Sequence, residues 1–179
     1  MVVMVATIRA LKMHGGQALD DIRTLNVDAL LKGTCNLKQH IENMKQYGLP
    51  VIVAINHFAD DHKEEVEALT SWCKKEGYSV TFLDGFLKGG EGSIDLAKEV
   101  VKTLNETTSH YHPLYDVELP LEEKIEIIAK KIYHATHVEY TLEAKEQMDK
   151  FKKMGYEYIP VCMAKTPQSF SDDPKVLGA

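Results

Sequence analysis

The sequence predicts an α/β fold: a mostly parallel sheet with flanking helices, then a smaller, helical or mixed C-terminal extension. Val51–Ile55 is a continuous β-branched and apolar run, the pattern of a strand buried on both faces. Val2–Ala6 and Ser79–Leu83 are further short apolar runs. Segments with apolar residues at helical spacing separate these runs, and strands alternating with helices argue for parallel pairing.

The elements follow in order. Val2–Ala6 reads as a buried strand. Thr7 to Gly16 is a loop or short helix closed by a glycine pair. Asn36 is placed to cap a helix carrying Leu37, Ile41, Met44 and Tyr47 at helical spacing. Gly48 closes that helix and Pro50 prevents its return. After the strand Val51–Ile55, Asp61 is expected to cap a second helix, with Glu64 completing a capping-box-like pattern. Val66, Leu69 and Cys73 form its inner face, and Gly77 ends it. Past the strand Ser79–Leu83, Ser93 can cap a third helix with Ile94, Ala97, Val101 and Leu104 as its stripe.

The rhythm changes after Asn105. Glu106 to His112 is polar, and Pro120 stands near the start of an amphipathic helix with Leu121, Ile125, Ile128 and Ile132 inward. Thr141 is placed to cap another, carrying Ala144, Met148 and Phe151 and stopped by Gly155. Tyr158–Met163 reads as a last strand that leaves through Ala164-Lys165-Thr166-Pro167. This divides the chain into a sheet core, residues 1–105, and a helical extension with a final strand and loop, residues 106–179.

Composition excludes several classes of function. The 179 residues carry 44% apolar and 27% charged residues, ordinary for a soluble globular chain. The formal net charge is −6 with no Lys/Arg cluster, which disfavours nucleic-acid binding. No apolar run approaches the ~20 residues of a membrane span. Met1 to Val5 has no basic flank or cleavage site, so no signal peptide is expected. The 3 cysteines are far apart, form no metal spacing and fit a reducing cytoplasm. Cys73 and Cys162 sit on apolar faces and read as core. A buried-strand pattern from the first residues and a stop just after a polar loop lead us to expect a fragment of a larger protein.

The candidate chemistry lies where two apolar runs break into polar and aromatic residues, since ligands bind at the carboxyl edge of an open α/β sheet. Phe58 and Phe86 each follow a strand, in loops that should be polar. They can stack on both faces of a planar heterocycle, or fold back onto the sheet edge. Asn56-His-Phe-Ala-Asp60 is a loose match to the Asn-Lys-x-Asp element that hydrogen-bonds a nucleotide base. Equally, Asn56 closes the strand end and Asp61 caps the next helix. Lys88-Gly-Gly-Glu-Gly-Ser93 is a glycine-rich turn into a helix, suited to an anion or simply a tight turn. It is not a Walker A loop, and none occurs in the 179 residues. Arg9, Lys12 and His14 put positive groups past the first strand, either to meet a carboxylate or phosphate or to be solvated. His110, His112, His134 and His137 read as surface residues. No catalytic residue and no metal ligand is assigned.

Several blocks resemble formate–tetrahydrofolate ligase (10-formyltetrahydrofolate synthetase). They are Val5-Ala-Thr-Ile-Arg-Ala-Leu-Lys-Met-His-Gly-Gly16, Asn36-Leu-Lys-Gln-His-Ile-Glu-Asn43, Gly48-Leu-Pro-Val-Ile-Val-Ala-Ile-Asn56 and Lys88-Gly-Gly-Glu-Gly92. Val161-Cys-Met-Ala-Lys-Thr166 and Ser169-Phe-Ser-Asp-Asp-Pro174 complete the series. The blocks keep the family's order, and the chain is similar to the family's middle-to-C-terminal part.

The resemblance implies a P-loop-NTPase-like sheet lacking its Walker A part. It implies an ATP-dependent ligase, with Mg, that makes 10-formyltetrahydrofolate from formate and tetrahydrofolate through formyl phosphate. In the family the pterin stacks between a phenylalanine after the Ala-Ile-Asn strand and an aromatic, usually tryptophan, before the Lys-Gly-Gly-Glu-Gly loop. Phe58 and Phe86 hold those positions, and Phe86 departs from the usual tryptophan. Phe82 matches an aliphatic wall of the pocket, and Asn56 and Gly85 would border the same cleft. A monovalent cation, a tetrameric homo-oligomer, and the missing N-terminal part of the chain as partner are implied too. The isolated fragment is expected to be inactive. A non-catalytic folding or assembly module and an unrelated α/β nucleotide-binding domain are the competing expectations.

Overall fold

The computed structural model describes residues 1–164, 169–173 and 176–178. The chain divides into two compact units, residues 1–111 with 166–179 and residues 112–165.

The first unit is α/β, with a three-stranded parallel sheet in the order β1-β2-β3. β1 is Val2–Ala6, β2 is Val51–Asn56 and β3 is Ser79–Leu83. Val3 pairs with Ile52 and Ala6 with Ile55, while Ile55 pairs with Phe82 and Asn56 with Leu83. This register brings all three strands to an end at the same level. Val53 and Ile55 join Ala6, Ile8, Leu11, Leu30, Leu37, Ile41, Leu69 and Cys73 in one core. Ile52 and Ala54, which alternation sends to the opposite face, are fully buried as well. Burial on both faces accounts for the unbroken apolar run of β2.

Three helices cover the core. The segment left open at Thr7–Gly16 is helix α1, Ile8–His14, with the Thr7 hydroxyl accepting the Ala10 N–H at 3.2 Å. Helix α2 runs Val27–Lys45. Its cap is Asn26, whose Oδ1 accepts the Ala29 N–H at 2.9 Å. Asn36 is therefore no cap but a buried mid-helix residue. Gly33, a weak helix former, hid this continuity. It is required by packing, because a Cβ there would lie 1.8 Å from Leu11 O. Helix α3, Lys63–Lys75, starts after His62 rather than Asp61. Cys73 is fully buried on its inner face.

Past β3 come a single turn, α4 at Gly85–Lys88, a 3-10 turn at Glu91–Ser93, and helix α5 at Ile94–Glu106. Ser93 precedes α5 without a side-chain cap bond. The stripe expected to face inward faces out: Ile94, Val101 and Leu104 are exposed. Leu96, Glu99, Val100 and Thr103 form the half-buried side instead. Ser79 Oγ donates to Glu99 Oε1 at 2.7 Å and fixes that side toward β3. Further along the chain, Ser169 and Gly178 form a parallel bridge and Phe170 packs against His40, ring centroids 4.6 Å apart.

The second unit holds α6, Leu121–Tyr133, and α7, Leu142–Lys153, the latter capped by Thr141, whose hydroxyl accepts the Ala144 N–H at 3.1 Å. Lys152 and Glu122 pair across them. Tyr158–Met163, expected as a strand, is irregular. No neighbouring strand serves its backbone among the described residues; side chains do. The buried Lys124 Nζ donates to Tyr158 O at 2.7 Å and Ile159 O at 3.2 Å. The Tyr115 hydroxyl accepts the Val161 N–H at 3.0 Å and donates to Val161 O at 3.3 Å. Cys162 is consequently exposed rather than core. Lys165, Thr166 and Pro167 of the expected exit loop lie outside the described residues.

Candidate functional site

The parallel register places three loop starts side by side at the carboxyl edge of the sheet. They begin at Thr7 after β1, His57 after β2 and Asp84 after β3. The His57 N–H donates to Leu83 O at 2.9 Å, so ladder bonding continues one step beyond the strands.

Phe58 and Phe86 meet here. Their ring centroids are 6.3 Å apart, at an interplanar angle of 44°. Phe58 is half-buried, whereas Phe86 is 78% exposed. Holding an aromatic ring almost wholly in water forgoes the burial that normally places such residues inside. Two flat contacts at about 3.5 Å each need about 7 Å between the rings. The observed separation is slightly under that, so a flat ligand would rotate the rings toward parallel and part them slightly.

Phe58 is braced from two sides. Asp61 does not cap α3; its Oδ2 accepts the Phe58 N–H at 2.9 Å, and its own N–H donates to Phe58 O at 2.9 Å. That doubly closed turn fixes the Phe58 backbone. Partial burial raises the Asp61 carboxyl above its ordinary value. Arg9, from α1, lies with its guanidinium carbon 4.8 Å from the Phe58 ring centroid. The same guanidinium pairs with Asp60, which Arg23 also approaches at 3.3 Å. The Asp60 carboxyl is held low, chiefly by its hydrogen bond from Arg9.

The other expected residues fall around these rings. Asn56 ends β2, half-buried, and pairs in register with Leu83. Gly85 is the first residue of α4. Phe82 is 41% exposed, and its ring lies 4.8 Å from that of His57. Of the three positive groups past β1, Arg9 reaches the site, and Lys12 is buried away from it against Glu65 at 2.9 Å. His14 is half-buried on α1.

Sequence reasoning missed His57 and Asp84. His57 Nδ1 lies 3.1 Å from Asp84 Oδ1, and Lys88 Nζ lies 3.0 Å from Asp84 Oδ2. The His57 hydrogen bond, then that of Lys88, holds the Asp84 carboxyl below its ordinary value. Residues 27 apart share no local period; only the β2–β3 register reveals the pair. No group of three or more His, Cys, Asp or Glu suited to a metal occurs among the described residues. No described helix is long and apolar enough to cross a membrane.

The arrangement suits a flat, partly aromatic ligand held at the sheet edge between rings from neighbouring loops. Compared with known protein families, the chain matches the model described as formate–tetrahydrofolate ligase over residues 1–179.

Proposed function

The chain belongs to the formate–tetrahydrofolate ligase family, and from that premise we propose that it supplies the folate-binding side of the ligase. Phe58 and Phe86 would take the pterin between them, with Phe82 as an adjoining wall and Asn56 and Gly85 at the border of the cleft. The 6.3 Å ring separation at the carboxyl edge of β2 and β3 is the observation that carries this reading.

The reaction joins formate and tetrahydrofolate. ATP, with Mg, phosphorylates formate to formyl phosphate; the N10 amine of tetrahydrofolate then displaces phosphate from the formyl carbon and loses a proton. The products are 10-formyltetrahydrofolate, ADP and phosphate. The demand on a protein is positioning of the amine against the formyl carbon and neutralisation of phosphate charge. The residues of this cleft serve the first demand. The rings fix the pterin plane, Arg9 backs Phe58, and the Asp61 turn holds the Phe58 backbone. For the second, no Walker A loop stands in these 179 residues, and none of them is assigned to a phosphate cradle. A monovalent cation and a tetrameric assembly in the cytoplasm go with the family reading.

Calorimetric titration of the 179-residue chain with tetrahydrofolate, and separately with ATP, tests the proposal. Folate binding with little ATP binding and no formation of 10-formyltetrahydrofolate is the expected result. Nucleotide affinity without folate affinity would overturn it in favour of a plain nucleotide-binding domain. Turnover by the chain alone would overturn the division of labour.

A further inference from the structure

A stacking site needs its two rings at a set distance, yet here they stand on different loops. Phe58 follows β2 and Phe86 follows β3. One backbone bond, His57 N–H to Leu83 O at 2.9 Å, ties the loop starts. The carboxylate of Asp84 goes further. Its Oδ1 meets His57, the neighbour of Phe58, at 3.1 Å, and its Oδ2 meets Lys88, two residues past Phe86, at 3.0 Å.

Local structure does not require this. Asp84 occupies the N-cap position of α4, where an aspartate ordinarily accepts an N–H of the first turn, yet its side chain makes no cap bond. Both oxygens are committed instead to groups flanking the two rings, and the residue is 95% buried. Its backbone is pinned as well. The Asp84 N–H donates to Gly92 O at 3.0 Å, and a Cβ at Gly92 would lie 2.2 Å from Asp84 O. The Phe82 ring at 4.8 Å steadies the imidazole.

We propose that Asp84 is a positioning residue for the flat ligand: through His57 it couples the Phe58 loop to the Phe86 loop and holds the two rings near the spacing that stacking needs before the ligand arrives, leaving only a small rotation and parting to binding. The inference rests on the folate reading of the two rings. A site organised in advance loses less freedom on binding, so uncoupling the loops lowers affinity without removing any ligand contact. Lys88 is mostly exposed, and water screens its pairing with Asp84; the His57 arm carries the coupling.

Two measurements on the 179-residue chain test this: amide hydrogen exchange without ligand, and calorimetric titration with tetrahydrofolate. In Asp84→Ala and His57→Leu, exchange should rise together at residues 57–61 and 84–89, and affinity should fall about tenfold. His57→Asn, which keeps a donor near the Nδ1 position, should restore both to within about twofold of the wild type, as should Lys88→Met. Recovery by His57→Asn separates coupling from a general loss of folding. Phe58→Ala should lose folate affinity while leaving exchange at residues 84–89 unchanged. Wild-type exchange and affinity in Asp84→Ala would overturn the proposal even if Phe58→Ala shows that the rings bind folate. A wild-type chain that binds no tetrahydrofolate would overturn the folate reading and the ligand half of this inference, with exchange still deciding whether Asp84 couples the loops.

Discussion

Lys12 Nζ lies 2.9 Å from Glu65 Oε1, joining α1 to α3 through an ion pair closed to solvent. The same carboxylate oxygen accepts the Asn26 N–H at 2.7 Å, and Lys12 also donates to Thr24 O at 2.9 Å. One buried pair thus fixes the loop that leads into α2. The second carboxylate oxygen, Glu65 Oε2, is buried without a hydrogen-bond partner among the described residues.

Breaking this pair on one side should cost far more than removing it. Lys12→Met leaves a buried carboxylate uncompensated and should lower stability by about 3–5 kcal/mol. Lys12→Met combined with Glu65→Leu removes both charges and the unpartnered oxygen, and should recover most of that loss. Urea unfolding of the single and double variants checks the order.

Ring substitutions should act on folate alone. Phe58→Ala is expected to weaken tetrahydrofolate binding roughly tenfold or more through lost stacking and burial. Phe86→Trp, which enlarges the exposed ring, should strengthen it. In an intact ligase Phe58→Ala should raise the folate KM with little change in that for ATP. Equal shifts in both would remove the stacking assignment.

Asp61 and Asp84 should affect stability with opposite signs. Burial raises the Asp61 carboxyl, so its contribution is greatest below the ordinary aspartate range and is lost as pH rises through the raised value. Asp61→Asn keeps an acceptor for Phe58 and should be more stable than the wild type near neutrality, with the difference fading in acid. The Asp84 carboxyl is lowered by His57 and Lys88, so its contribution is present above the ordinary range and is lost as pH falls through the lowered value. Asp84→Asn should be less stable than the wild type near neutrality and converge with it in acid. Thermal unfolding from pH 3 to 7 follows both.

The three thiols should separate cleanly. Burial pushes the Cys73 thiol up to about 12, while Cys35 and Cys162 are exposed. An aromatic disulfide reagent should titrate two thiols in the native chain and the third after unfolding. Rapid reaction of Cys73 in native buffer would contradict the packing of α3.

The three sheet strands and the two ring positions were legible in the sequence because they depend on local pattern, except that β1, expected to be buried, is an edge strand with Val5 58% exposed. Val51–Ile55 is apolar without a break because both faces are covered, and Phe58 and Phe86 stood out as aromatics where loops should be polar. What stayed hidden depends on partners distant in sequence. Gly33 concealed a helix whose reason is the backbone of Leu11. Lys12 stayed open between meeting a carboxylate or phosphate and being solvated, because its carboxylate partner Glu65 is 53 residues away. Tyr158–Met163 has the composition of a strand, and Lys124 and Tyr115 satisfy its backbone instead. The α5 stripe was the wrong one because Glu99, polar and half-buried, faces Ser79.

The pairing of Asn56 with Leu83 sets the frame from which both rings are hung. One residue along a strand is about 3.3 Å, so a single-step slip of β3 against β2 would shift Phe86 by roughly half the 6.3 Å between the rings and turn alternate side chains over. Few chains that had folded out of frame could grip a flat ring. On the proposed folate reading, the ligand would gauge strand alignment, and an immobilised folate would retain correctly threaded molecules and pass misthreaded ones.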